Sequence, residues 1–535
     1  MITFLTELSR LAGEESLHYF GRIGEGDIEG KATSKDLVSI ADKAIEKRIV
    51  EKIVERFPDH DIFGEETGHR GIKSEYCWVI DPIDGTQSFV KHHPYYSISI
   101  ALYKNGQGYA GAVNAPALGK LFTAVSGEGA FENLGLTALT LPASVKTVKS
   151  DAFKGLKITE LTIPTTVETW GSNIFVGCKQ LTDITLPEGI TNLGFGMFQN
   201  CTALEQVTLP STLKHLNASL FSGCTGFTSF NIPEGIEILG DPTTWVVGEA
   251  NVQGVKSNQA ASVFSGCTNL TSVTLPSTLK VIGDKAFNGC SKLTSIVIPE
   301  TVEYIGSQVF AGTKISSITV TNPDVVLYGA FNGMKELTTV TLPNEMTNIG
   351  YDTFNGCTKL ASITLPTSIT TAQVVYRSSN GSSLITSEGQ NFMGCTALTS
   401  IVIPGTMQKV PAGMFKNCTK LANVVLSEGV KIIAKDVFYG CTALETVDIP
   451  LTLDEIGSQA FYNCKKIQTL TLPKLSYVAE KAFYYWTATQ TINTAANERY
   501  VLKNWNYTNS YSAWDTSCAA VINYGYKPAA EEPQA

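Results

Sequence analysis

The run Asp81-Pro82-Ile83-Asp84-Gly85-Thr86 concentrates groups that could do chemistry. Two carboxylates three positions apart flank Pro82, whose ring fixes the local backbone, and Gly85 allows a tight turn, leaving the Ile83 carbonyl free between them. Two further acidic stations precede the run: Asp42, and the pair Glu65-Glu66 within IFGEET. Carboxylate and carbonyl oxygens are hard donors of the kind Mg²⁺ prefers, and Mg²⁺ commonly takes a substrate phosphate oxygen as a further ligand. Two such ions could clamp the attacking and leaving oxygens of an in-line phosphoryl displacement. An ordinary acidic turn is the alternative reading of Asp81 to Thr86.

These side chains need elements to hold them. Ile2, Leu5, Leu8 and Ala12 recur at helical spacing, and Ile40, Ala44, Ile45, Ile49, Ile53, Val54 and Phe57 form a second helical stripe that carries Asp42 near its start. Short β-branched and aromatic runs follow at 60–64, 77–81, 97–103, 108–114 and 120–125, punctuated by Gly, Pro and Asn. Helices first and strands after predict an α+β unit. The strand carrying Asp81 is expected to end there, with Pro82 opening the turn. His92-His93 lacks the i, i+4 spacing of a helical metal pair and reads as a solvated loop, and Cys77 reads as core.

The whole chain has 535 residues, of which 17% are charged, and a net charge of −9. No basic block accompanies this acidic balance, which excludes a nucleic-acid binder. No run approaches the roughly 20 apolar residues of a membrane span. The N-terminal segment lacks a basic n-region with an apolar core, so a cytoplasmic location is expected for the chain as written. The average charge hides a division: residues 1–133 hold 34 charged side chains, and the following 402 residues hold only 55. The expected organisation is an α+β head over 1–133, a repeat array over 134–526 and a disordered tail over 527–535.

In the array one phrase recurs: a strand such as LTDITLP, a turn, an apolar pair, then a Phe. The Phe column runs from Phe153 to Phe483 through 14 members, mostly 23 residues apart, with insertions near 240–260 and 372–388. A unit this short cannot bury its apolar face alone, so the units must stack as a solenoid. Ten of the 12 cysteines, from Cys178 to Cys464, stand three residues after a column Phe, while Thr313 and Met334 occupy that place in two units. Such a column suits buried free thiols, not disulfides or zinc ligands. The exposed strand positions are rich in hydroxyls, among them Thr182, Thr185, Thr271, Ser272 and Thr339.

The fixed register of LP or IP, Phe and Cys resembles the BspA-like leucine-rich repeats of the Treponema pallidum type. The resemblance implies a curved α/β-type solenoid with a parallel β-sheet on its concave face. It also implies a protein or glycan ligand there, in a family usually secreted or displayed on the cell surface. The head resembles the inositol monophosphatase superfamily through Lys31, DLVSIAD, GEE, WVIDPIDGTQSF and GEGAF. By that resemblance Glu65, Asp81 and the Ile83 carbonyl would hold a first Mg²⁺, and Asp81 with Asp84 a second. Asp42, Glu65 and Thr86 would orient the attacking water, and Gly85 and Thr86 would meet the phosphate of a small monoester. Members of that superfamily are about twice as long as this head, and the absent half would supply a Trp-Asp motif completing the second metal site. Trp514-Asp515 is a near match, but the following VINYGYK reads as a strand, so the segment is expected to cap the solenoid. The resulting expectation is a binding or adhesion protein that carries an incomplete Mg²⁺-dependent phosphatase head. Two alternatives remain open: an active phosphomonoesterase of the inositol monophosphatase or histidinol-phosphate phosphatase class, completed by oligomerisation or by Asp515, and an artefactual or recent joining of two unrelated genes at Asn133.

Overall fold

A computed structural model describes residues 1–23, 28–30, 37–125, 138–241 apart from 142 and 144, 261–377, 384–496 apart from 474, and 518–527. The expected junction at Asn133, Lys31, the GEGAF segment and Asp515 lie outside the described residues. The chain groups into two compact units, one of 1–162 with 166–181 and the other of 163–165 with the chain from Thr182 onward.

In the head, the first amphipathic stripe forms helix α1 (Ile2–Tyr19), followed by a short antiparallel pair, β1 (Ile28–Gly30) and β2 (Leu37–Ser39). The second stripe forms α2 (Ile40–Arg56). Strands β3 (Asp61–Gly64), β4 (Gly68–His69), β5 (Tyr76–Asp84), β6 (Ser97–Lys104), β7 (Gln107–Ala115) and β8 (Lys120–Val125) make one sheet in the order β4-β3-β5-β6-β7-β8. A five-residue helix, α3 (Thr86–Val90), follows β5. Leu5, Leu8 and Ala12 of α1 and Ala41, Ile45, Ile49 and Ile53 of α2 bury with Ile62, Trp78, Ile80, Ile98, Ile100 and Leu102 of the sheet. At one end of this core His60 is sandwiched between Phe57 and Tyr76, at centroid distances of 4.8 and 4.6 Å, and its Nδ1 accepts the Trp78 indole N–H at 3.1 Å. Cys77, expected in the core, is only half-buried because alternation along β5 turns it away from the helices.

The array is a β-solenoid of about fourteen coils. Where an α/β-type solenoid was expected, the coils among the described residues consist of short strands and turns, with no α-helix. Most LTDITLP-like phrases give a short parallel strand, as in Asp183–Thr185 against Gln206–Thr208, while those at 293–299 and 360–366 form none. The apolar pair forms a second column of parallel strands that was not anticipated: Ile238–Leu239, Val281–Ile282, Tyr304–Ile305 and Val326–Leu327 pair in succession. The column phenylalanines stack at centroid distances of 5.3–6.3 Å, for example Phe264 on Phe287 and Phe310 on Phe331. The cysteines do more than fill space. Nine of the ten column thiols donate to the carbonyl of the Phe one coil back, as in Cys290 to Phe264 at 3.2 Å and Cys441 to Phe415 at 3.1 Å. At the last column position Trp486 takes over the role, its Nε1 donating to the Phe461 carbonyl at 3.0 Å. Burial pushes the Cys290 and Cys395 thiols up to about 12, so they stay protonated and able to donate. The second insertion forms an antiparallel hairpin of Gln373–Arg377 with Leu384–Glu388. No helix among the described residues is long and apolar enough to cross a membrane.

Candidate functional site

The Asp81-to-Thr86 run does not become a turn at Pro82. Strand β5 continues to Asp84 through a bulge: Asp81 pairs with Ser99 and Asp84 with Ser97, so three steps on β5 oppose two on β6. In a regular strand residues three apart point to opposite faces. The extra residue in the bulge restores the register, placing Asp81 and Asp84 opposite two β6 residues of the same face. Ile83, 1% exposed, anchors the bulge in the core. Gly85 then takes a φ of 92°, and a Cβ there would stand 3.2 Å from the Tyr95 carbonyl, so both conformation and space favour glycine.

Helix α2 approaches from the side. Asp42, in its first turn and 1% exposed, lies 3.5 Å through Oδ1 from the Thr86 hydroxyl, which also donates to the Ile83 carbonyl at 3.0 Å. Glu65 begins the tip of the β3–β4 hairpin, where its N–H donates to the Ile80 carbonyl at 3.1 Å. Asp81 is the electrostatic centre. Burial, then the Glu65 charge and a hydrogen bond to Glu65, then the charges of Asp84 and Asp42, raise its pKa from 3.8 to about 7. Its Oδ1 is buried with no hydrogen-bond partner. The structure thus brings Asp42, Glu65, Asp81, Asp84 and Thr86 to one place, with Ile83 and Gly85 in the connecting backbone. His92 and His93 stay on an exposed loop.

Glu46 was not anticipated. One turn after Asp42 on α2, it is fully buried, and its two carboxylate oxygens accept the N–H groups of Glu66 at 2.9 Å and Thr67 at 2.6 Å. Its sequence signal was an acidic residue next to Ile45 in an apolar stripe, a pattern that equally marks the edge of a solvated helix face. Across the sheet edge, Asp61 accepts the N–H groups of Ile62 and Ile72 and the ring of His69, which fixes the base of the same hairpin.

The donors present suit a hard cation: they are carboxylates, and one carries a buried, unpartnered oxygen. Among the described residues no group of three or more His, Cys, Asp or Glu side chains stands in an arrangement that would by itself hold a metal ion.

The solenoid carries a second candidate surface. A depression of about 470 Å³ lies between the strands Gln206–Thr208 and Ser229–Asn231, lined chiefly by Gln206, Thr208, Thr228, Ser229 and Asn231, with Glu205 as its one charge. The hydroxyls expected on the strand faces, including Thr182, Thr271 and Thr339, are exposed.

Fold and site together define a phosphatase-like head followed by a leucine-rich solenoid, and comparison with known proteins finds both. The profile of the inositol monophosphatase family matches residues 1–170. That of the BspA type leucine-rich repeat region matches six copies over 126–243, 258–380 and 386–512, and the chain belongs to that family. The head is 41% identical over 130 residues to the fructose-1,6-bisphosphatase/inositol-1-monophosphatase of Aquifex aeolicus, covering 24% of this chain and 49% of that protein. It is 40% identical over 127 residues to the histidinol-phosphatase of Chlorobaculum parvum, covering 24% and 48%. The chain therefore spans about half the length of the curated relatives it matches. A solved leucine-rich repeat protein from Bacteroides ovatus aligns at 23% identity with a TM-score of 0.36, covering 66% of this chain and 90% of that one.

Proposed function

We propose that the chain is a recognition protein: the solenoid binds a protein partner through its strand face, and the head holds Mg²⁺ without efficient turnover. The observation that carries this reading is the run of exposed, uncharged hydroxyl and amide side chains leading into the depression around Ser229. Thr is also a good strand former, so the ladder serves the sheet in any case. The depression adds a concave surface with convergent polar groups. Ser229 is exposed, so Ser229→Lys leaves the coil intact while filling that surface with charge. Partner binding should fall at least tenfold in that variant, measured on immobilised full-length protein against a protein array. A partner bound equally by both proteins places recognition elsewhere.

In the head, Glu65, Asp81 and the Ile83 carbonyl are assigned to a first Mg²⁺, and Asp81 with Asp84 to a second. Bound there, the ions would neutralise phosphate charge and lower the pKa of a bound water. Asp42, Glu65 and Thr86 would orient the water, while the Gly85–Thr86 backbone would meet the phosphate. Phosphoryl transfer depends on positioning and charge neutralisation, and a head of half the usual length is expected to do this slowly. The second reading, an active phosphomonoesterase, is favoured by the raised pKa of Asp81 alone. Phosphate release from inositol and histidinol phosphates with Mg²⁺, with and without lithium, separates the two. The recognition reading expects no release above the Asp84→Asn background, and lithium-sensitive release lost in Asp84→Asn would overturn the non-catalytic head.

A further inference from the structure

Buried carboxylates are costly unless their oxygens are satisfied, and α2 buries two, Asp42 and Glu46. The role of Glu46 follows from where its partners lie. Three consecutive backbone N–H groups leave the tip of the β3–β4 hairpin: that of Glu65 goes to the Ile80 carbonyl of β5, and those of Glu66 and Thr67 go to Glu46. A three-residue tip would otherwise be free to swing. Here it is tied to β5 on one side and to α2 on the other. The approach is close enough that even a Cβ on Gly64 would stand 2.2 Å from Glu46 Oε1, and Gly64 itself is buried. Helix α2 therefore reaches the site twice with one face. Asp42 approaches Thr86, and Glu46, a turn later, grips the loop from which Glu65 acts on Asp81.

We infer that Glu46 is a positioning residue for the cation site: by accepting two adjacent backbone N–H groups it fixes the direction of the Glu65 carboxylate toward Asp81. The inference rests on the reading of the head as a Mg²⁺-holding unit. A carboxylate accepts both N–H groups at once, whereas an amide offers one oxygen and turns an NH₂ against the second donor. Glu46→Gln keeps the size and removes that double acceptance. Groups that orient a metal's ligands without touching the metal typically change affinity 10- to 100-fold when lost.

The test is Mn²⁺ and Mg²⁺ titration of the full-length protein by calorimetry, alongside hydrogen–deuterium exchange of the peptide spanning 62–70. In Glu46→Gln the metal Kd should rise at least tenfold and exchange at Glu66 and Thr67 should accelerate, with far-UV circular dichroism unchanged. Gly64→Ala, which displaces the Glu46 carboxylate while leaving its charge, should move both readouts the same way. A Glu46→Gln protein that is folded and binds metal with the wild-type Kd overturns the positioning role. If Glu46→Gln does not fold, Gly64→Ala decides, and a wild-type Kd there has the same force. Wild-type protein that takes up neither ion overturns the Mg²⁺ reading of the head itself, a result distinct from unimpaired binding in the variants.

Discussion

His60 illustrates how a single side chain couples the head to pH. Stacked between Phe57 and Tyr76 and accepting the Trp78 indole proton on Nδ1, it has no place for a second proton, and burial holds its pKa below the ordinary 6.5. The folded value is depressed, so the unfolded chain takes up the proton more readily. The stabilisation is therefore fully present above pH 6.5 and is lost as pH falls toward the folded value. The melting temperature of the head should drop as pH falls below 6.5, and His60→Asn, whose amide oxygen can still accept the indole, should flatten that part of the profile in a calorimetric series. An identical slope in both proteins would assign the acid sensitivity to other groups. The Asp81-to-Thr86 run was legible in the sequence because its groups are contiguous and turn-forming residues separate them. Glu46 was not, because its importance lies in a contact made 20 and 21 residues away, and an isolated acid on a helix is usually solvated.

Among the elements, the bulge in β5 and the coil of the array show two ways of fixing a residue's direction. The bulge reverses the parity of a strand once, at Asp81–Asp84, and the sequence hid it because Pro82 reads equally well as the start of a turn. The coil repeats its direction by stacking. Phe287, fully buried, lies between Phe264 and Phe310, and Cys290 ties the coil to the one before. Phe287→Ala should lower stability by about 3–5 kcal/mol in denaturant unfolding. Under native conditions a thiol reagent should label only Cys77 and Cys518, the two half-buried cysteines, and label the column after unfolding. Rapid native labelling of the column would mean that the coils open far more readily than this packing implies. The Phe and Cys columns were readable from their spacing alone. The second strand column was not, since pairs of two residues such as Tyr304-Ile305 are too short to display a period of two.

At the scale of the whole molecule the two units are stabilised differently. The head depends on contacts between residues distant in sequence, such as Asn114 donating to the Ser9 carbonyl at 2.6 Å. In the array each coil answers mainly to its neighbours. The thiol-to-carbonyl bond makes that dependence specific. Across an ordinary step it joins residues 26 apart, as in Cys418 to Phe392, and across the two insertions it joins residues 46 and 41 apart with the same geometry, at 3.2 Å. Nine column cysteines make this bond, while Thr313 donates within its own coil and Met334 has no side-chain donor; where it forms, the bond sets an order of stacking but places no demand on how much chain runs between two stacked units. Added sequence can leave the column and return without being noticed by it. The array is thus a scaffold on which new loops can be tried at little risk to folding, and the hairpin at 373–388 is one such trial already fixed in the chain.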